Sequence, residues 1–147
     1  MKKMVLALLA GWTAWQASAA EPGWMTELPK AQALARAENK MVLLNFTSSD
    51  LPGWCARFKT EILDTEEFKV YAAKNLVLVE LDFPRKKPQN AELKKANEAL
   101  SKKFKADSFP TFVVLSKDGA EIGRQEGYEK GGAKVFIALL EKAREKN

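Results

Sequence analysis

Met41-Val42-Leu43-Leu44-Asn45-Phe46 is an almost unbroken apolar run rich in β-formers, and Leu76-Val77-Leu78-Val79-Glu80-Leu81-Asp82 repeats the pattern. Such runs predict strands covered on both faces, as at the centre of a parallel sheet. A third strand is expected over Thr111-Phe112-Val113-Val114-Leu115. Lys117-Asp118-Gly119 follows it, and an Asp-Gly pair supplies the positive φ angles of a tight hairpin turn. Glu121-Ile122-Gly123-Arg124 then returns antiparallel. Between these runs the apolar period lengthens to that of a helix. Leu28, Ala31, Leu34 and Ala35 share one face of a segment reaching Asn39. Leu93, Ala96, Leu100 and Phe104 mark another helix, and Val135, Phe136, Leu139, Leu140 and Ala143 mark a last one after Gly131-Gly132.

Two helices are expected between the first two strands. One runs from about Pro52 to Leu63, with Asp50 or Ser49 as its cap and proline at the first helical position, where a missing N–H costs nothing. Asp64-Thr65-Glu66-Glu67 sets a cap three residues ahead of a carboxylate and opens a shorter helix through Phe68, Tyr71 and Ala72. Pro84-Arg85-Lys86-Lys87-Pro88 is a basic loop whose prolines exclude regular structure. The order α-β-α-α-β-α-β-β-α describes an α/β fold: a mixed central sheet with a C-terminal β-hairpin and helices on both faces. There is no internal repeat and no sign of a second domain.

The first twenty residues follow a different grammar. Lys2 and Lys3 precede a mostly apolar stretch from Met4 to Trp15, and Ala17-Ser18-Ala19-Ala20 supplies small residues for cleavage. That is the pattern of a secretory signal peptide, and the stretch is short for a bilayer span. The expectation is a signal over 1–20, cleaved after Ala19 or Ala20, and one domain over 21–147 in the periplasm or outside the cell, with no stable membrane anchor after cleavage. Removing 20 of 147 residues takes two of the 24 basic residues and none of the 19 acidic ones, so the net charge falls from +5 to +3. A charge that small, spread among glutamates, describes a solvated surface and no nucleic-acid partner.

The inventory of reactive side chains is short. Cys55 is the sole cysteine and histidine is absent. No intramolecular disulfide can form, and a Ser-His-Asp triad, a Cys-His dyad and an ordinary Cys/His zinc site are excluded. No motif for a metal, nucleotide or organic cofactor is present.

Leu44-Asn45-Phe46-Thr47-Ser48-Ser49-Asp50-Leu51-Pro52-Gly53-Trp54-Cys55, the later Asn75-Leu76-Val77-Leu78-Val79-Glu80, the Phe109-Pro110-Thr111 turn and Gly127-Tyr128 together resemble the thioredoxin superfamily. More narrowly, they are similar to exported bacterial thioredoxin-like proteins that carry Asn-Phe-Thr-Gly-Ser-Asp-Trp-Cys-x-x-Cys. The resemblance spans about Trp24 to Lys146 and implies a thioredoxin-like fold. It also implies a cis peptide bond before Pro110. In such families the first cysteine attacks a substrate disulfide and the second resolves the mixed disulfide. Matched position by position, Pro52 stands at the attacking place, Cys55 at the resolving place, and Leu51 where a tryptophan normally precedes the attacker. A shifted register is also open: Trp54-Cys55-Ala56-Arg57 would make Cys55 the attacker, with Phe58 in the resolver's place and Arg57 favouring a thiolate.

Either way one thiol is missing, and magnitudes show why that dominates. Lowering a thiol's pKa gains only a few-fold in exchange rate, because nucleophilicity falls with basicity. An intramolecular partner is worth an effective concentration of about millimolar upward. The leading expectation is therefore a degenerate site that binds extended polypeptide or a partner protein without self-sufficient disulfide catalysis. Trp54, Phe109, Pro110 and Thr111 would form the binding groove. The alternative is a monothiol oxidoreductase acting on protein or peptide thiols and disulfides, with Cys55 as its catalytic residue. A Cys55–Cys55 covalent dimer is a third reading, though a monomer is expected. Asp50 reads as a helix cap, Tyr128 as a packing residue, and Arg85, Lys86 and Lys87 as a solvated loop able to meet an acidic partner.

Overall fold

The computed structural model describes residues 23–147, so the expected signal segment lies outside the described residues. Ten segments follow in order. They are α1 (Leu28–Glu38), β1 (Met41–Thr47), α2 (Trp54–Phe58) running into a π-helical turn (Lys59–Leu63), α3 (Glu66–Asn75), β2 (Leu76–Asp82), α4 (Ala91–Phe104), β3 (Thr111–Leu115), β4 (Glu121–Glu126) and α5 (Gly132–Arg144). The sheet order is β2-β1-β3-β4. β1 runs parallel to β2 and antiparallel to β3, and β3 and β4 form the hairpin. Met25 adds a single parallel bridge to Val79 outside β2, exchanging bonds with Leu78 and Glu80 at 2.8 Å. It covers part of an edge that would otherwise expose unpaired backbone.

Every residue of β1 is buried, as the continuous apolar run demands. Alternate side chains feed two cores. Met41 and Leu43 join Leu76, Leu78, Phe112 and Val114 against Phe58, Ile62, Phe68, Phe136 and Leu140 from α2, the π turn, α3 and α5. Val42, Leu44 and Phe46 join Val77, Val79, Leu81, Val113 and Leu115 under α1, with Phe104 of α4 packed alongside. Each large side chain buried in this way contributes about 1.5–3 kcal/mol relative to exposure.

Helix ends follow local chemistry. Asn39 takes the left-handed conformation at φ 55° and closes α1, a role asparagine tolerates better than most residues. Thr65, not Asp64, caps α3 by accepting the Phe68 N–H at 3.2 Å. Asn90 caps α4 by accepting from Glu92 and Leu93, both at 3.0 Å.

Candidate functional site

β1 delivers the chain to one end of the sheet, where residues 48–53 turn it into α2. Neither expected cap serves that helix. The Asp50 carboxylate accepts the backbone N–H groups of Arg85, Lys86 and Lys87 at 2.9, 2.7 and 2.9 Å. Those bonds, the one from Arg85 foremost, hold its pKa down at about 2. Ser49 turns to Asp82, donating its N–H at 2.8 Å to one carboxylate oxygen and its hydroxyl to the other. The cap position falls to Gly53 at φ 117°, with the Arg57 N–H reaching its carbonyl at 3.0 Å. The helix thus begins at Trp54, and Pro52 lies outside it. Three backbone donors of a proline-bracketed loop satisfy Asp50 more fully than one helix terminus would. The basic loop is thereby tied to the site by its backbone, while the Arg85, Lys86 and Lys87 side chains remain exposed.

Cys55 is the second residue of α2, a half-buried free thiol. It lines a cavity of about 150 Å³ together with Trp24, Asn45, Thr47, Lys59 and Glu80. Lys59 is engaged at its outer edge by Asp64, Nζ to Oδ2 at 2.8 Å. Asn45 and Glu80 face one another across the β1–β2 register. Asn45 is 7% exposed, and its Oδ1 is buried without a hydrogen-bond partner. Burial, with the nearby charge of Asp82 second, raises the Glu80 pKa above the ordinary carboxyl value.

The second half of the site is the turn before β3. The Phe109–Pro110 peptide bond is cis. Pro110 is buried and its carbonyl accepts the Gly127 N–H at 2.8 Å. Thr111 is buried and donates its hydroxyl to the Ser108 carbonyl at 2.7 Å. Phe109 is half-buried, its ring stacked on Phe83 with centroids 5.0 Å apart.

Gly127-Tyr128 joins the two halves. Tyr128 stacks on Trp54 at 5.5 Å and 29° between planes, and meets the edge of Phe58 at 6.0 Å. The Arg57 guanidinium lies 5.5 Å from the Trp54 ring centre and 4.8 Å from that of Tyr128. Glu61 accepts from Arg57 Nε at 2.8 Å and from the Tyr128 hydroxyl, and those donors, Tyr128 first, lower its pKa. Trp54 as a whole stays 57% exposed. Tyr128 therefore packs as expected and in addition holds Trp54 in place. Of the residues singled out in the sequence, Trp54 and the Pro110 turn are linked through Gly127-Tyr128, whereas Thr111 has its side chain turned inward. Asn45 and Glu80 were not singled out. Their signal was a polar residue inside each of two otherwise apolar runs.

A thioredoxin-like domain model matches residues 28–144. Over 115 residues the chain is 34% identical to the disulfide bond reductase DsbH of Chlamydia pneumoniae, covering 77% of this chain and 69% of that protein. Over 101 residues it is 29% identical to the thioredoxin-related protein DsbJ of the same organism, covering 69% of this chain but only 29% of DsbJ. The solved structure of a DsbH oxidoreductase superposes with a TM-score of 0.77 at 30% identity, covering 85% of each chain. With the sheet order, the helix placement and these matches agreeing across nearly all described residues, the chain belongs to the thioredoxin-like domain family.

Proposed function

We propose that this protein, exported by its N-terminal segment, binds extended polypeptide or a partner protein at the face formed by Trp54 and the Pro110 turn, without catalysing disulfide chemistry on its own. The observation that carries the reading is the pairing of a retained turn with a proline where the attacking thiol belongs. Cys55 is the only cysteine in the chain, so a mixed disulfide has no internal route of release.

Two features support binding at this face. Trp54 offers a broad exposed ring already ordered by Tyr128 and Arg57, which lowers the entropic cost of using it as an anchor. No hydrogen bond engages the backbone of Phe109 among the described residues, which leaves a donor and an acceptor for a strand laid beside it.

The test is fluorescence anisotropy with a permanently unfolded, thiol-blocked polypeptide. Wild type and Cys55→Ser are expected to bind alike, and Trp54→Ala about tenfold or more weaker, as for a buried aromatic anchor. Equal binding by Trp54→Ala, or loss of binding in Cys55→Ser, sinks the reading. Monothiol exchange through Cys55 is the second reading, favoured by the half-buried thiol at a cavity wall. Alkylation rates between about pH 5 and 10, folded against urea-unfolded, decide it: slow labelling of the folded form removes it.

A further inference from the structure

The basic loop closes a circuit around the face that carries Trp54. Phe83 leads out of β2 and stacks its ring on Phe109 at 5.0 Å. Pro84 to Pro88 follow, and the backbone N–H groups of Arg85, Lys86 and Lys87 end on Asp50, four residues before Trp54. Trp54 in turn reaches Pro110 through Tyr128 and Gly127. Three backbone bonds and two flanking prolines fix the loop, so its fold makes no use of the Arg85 and Lys86 side chains. Lys87 lies 3.6 Å from Asp82. Arg85 and Lys86 are exposed and have no ion pair among the described residues. Several acids bordering the face are already engaged: Asp50 by the loop, Asp82 by Ser49 and Lys87, Glu61 by Arg57 and Tyr128. Asp107, two residues before Phe109, and Glu129, next to Tyr128, lie on segments other than the loop. The loop side of the face is therefore its positive side, ordered and without a partner.

We propose, resting on the polypeptide-binding reading, that the segment bound at Trp54 and the Pro110 turn is acidic, with Asp or Glu residues that meet Arg85 and Lys86. The spacing follows from the circuit. One ring contact of 5.0 Å and two residues of chain put Arg85 within about 12 Å of Phe109, which an extended strand covers in about four residues. An apolar residue anchored on this face thus places carboxylates a few positions away beside the loop. There the Arg85 guanidinium offers charge-assisted bonds, and Lys86 adds attraction within a Debye length of about 8 Å. Because Asp50 already orders the loop, little of its freedom is lost on binding. Two unpaired cations beside aromatic rings suit a short acidic segment, whereas a nucleic-acid backbone draws on a longer basic track.

The experiment uses three labelled, thiol-free peptides that share one apolar centre and carry Glu, Gln or Lys on both flanks. Anisotropy with the exported protein gives their affinities. At about 20 mM salt the glutamate peptide is expected to bind about five- to tenfold tighter than the glutamine peptide, the size of two exposed ion pairs. The lysine peptide should bind more weakly than either. At about 0.5 M salt the gap should close to about twofold or less. Arg85→Gln combined with Lys86→Gln should remove the gap and leave the glutamine peptide's affinity within about twofold. Lys142→Gln combined with Lys146→Gln removes the same charge at the other end of the sheet, where Asn147 accepts the Lys117 N–H at 2.7 Å, and should keep the gap. Retained binding of the glutamine peptide shows that a variant is folded; if the Arg85 and Lys86 double variant loses it, Lys86→Gln alone decides. Equal affinity for all three peptides, weakened alike by Trp54→Ala, overturns the acidic selection and keeps polypeptide binding. No binding of any peptide overturns both. A gap that survives the loop substitutions, or that vanishes equally with the Lys142 and Lys146 pair, overturns the role of the loop. Displacement of the glutamate peptide by single-stranded DNA at lower concentration than by the unlabelled peptide also overturns it, in favour of nucleic acid.

Discussion

The backbone N–H of Lys86 meets the Asp50 carboxylate at 2.7 Å, with the N–H groups of Arg85 and Lys87 on the same side chain at 2.9 Å. One carboxylate thus fixes the geometry of a basic loop and, through its own backbone, the approach to Trp54 and Cys55. The bonds favour the ionised form, so the folded pKa, about 2, lies below the ordinary 3.8. A depressed folded value means stabilisation that is complete above the unfolded pKa and lost as pH falls through the folded one. Asp50→Asn is expected to melt below wild type at pH 7 by an amount constant down to about pH 4, with the two curves converging toward about pH 2. Thermal melts across that range check it, and a gap that persists below pH 2 would assign the effect to shape and not to charge.

Phe58 stands where the site meets the core. Its ring lies 4.3 Å from Phe112 and 5.0 Å from Phe136, and it also touches Tyr128. At 1% exposure its removal leaves a cavity that three other rings line but cannot fill. Phe58→Ala should cost about 3–5 kcal/mol, a large part of the 5–15 kcal/mol typical of a domain. Urea unfolding should show a lower midpoint with an unchanged slope.

Gly53 and Gly131 both sit at strongly positive φ, 117° and 123°, yet they predict different costs. A Cβ at Gly53 would meet nothing within 4 Å, whereas one at Gly131 would stand 2.2 Å from Val135 Cγ2. Gly53→Ala therefore incurs backbone strain alone, about 1–3 kcal/mol, and Gly131→Ala incurs strain and a clash at the start of α5. Gly131→Ala should be the less stable variant in denaturant melts. Gly53→Ala should in addition disturb the Trp54–Tyr128 stack, read as a change in tryptophan fluorescence.

β1, β2 and β3 were legible because each is a short apolar run bounded by turn residues, and burial leaves that pattern little freedom; the mostly polar β4 was legible from the Asp118-Gly119 turn before it. The start of α2 was not. Asp50 has the chemistry of a cap, and only the fold brings three donors of a distant loop within its reach. Asn45 and Glu80 illustrate the same limit: each reads alone as an interruption in a strand, and the parallel register of β1 with β2 makes them a pair. Tyr128 was placed correctly as packing, but its hold on Trp54 depends on a hairpin and a turn whose geometry no local pattern encodes.

Pro52→Cys tests whether the scaffold supports two-thiol chemistry. The substitution places a thiol three residues before Cys55, just outside α2 and next to Gly53, whose positive φ bends the chain there. Proline has no N–H to donate, so replacing it breaks no bond and removes only a restraint on φ. Gly53 supplies the local freedom a short disulfide loop needs, and a thiol so close to Cys55 would act at an effective concentration of about millimolar or higher. Under mild oxidant the variant should lose both free thiols without changing its monomeric mass, and should reduce insulin in the presence of dithiothreitol well above wild type. If the thiols stay free, or the disulfide forms without activity, the turn at Pro110 and the ordered Trp54 do not make a redox site even with both thiols present. The polypeptide-binding reading would then have to stand on the anisotropy experiment alone.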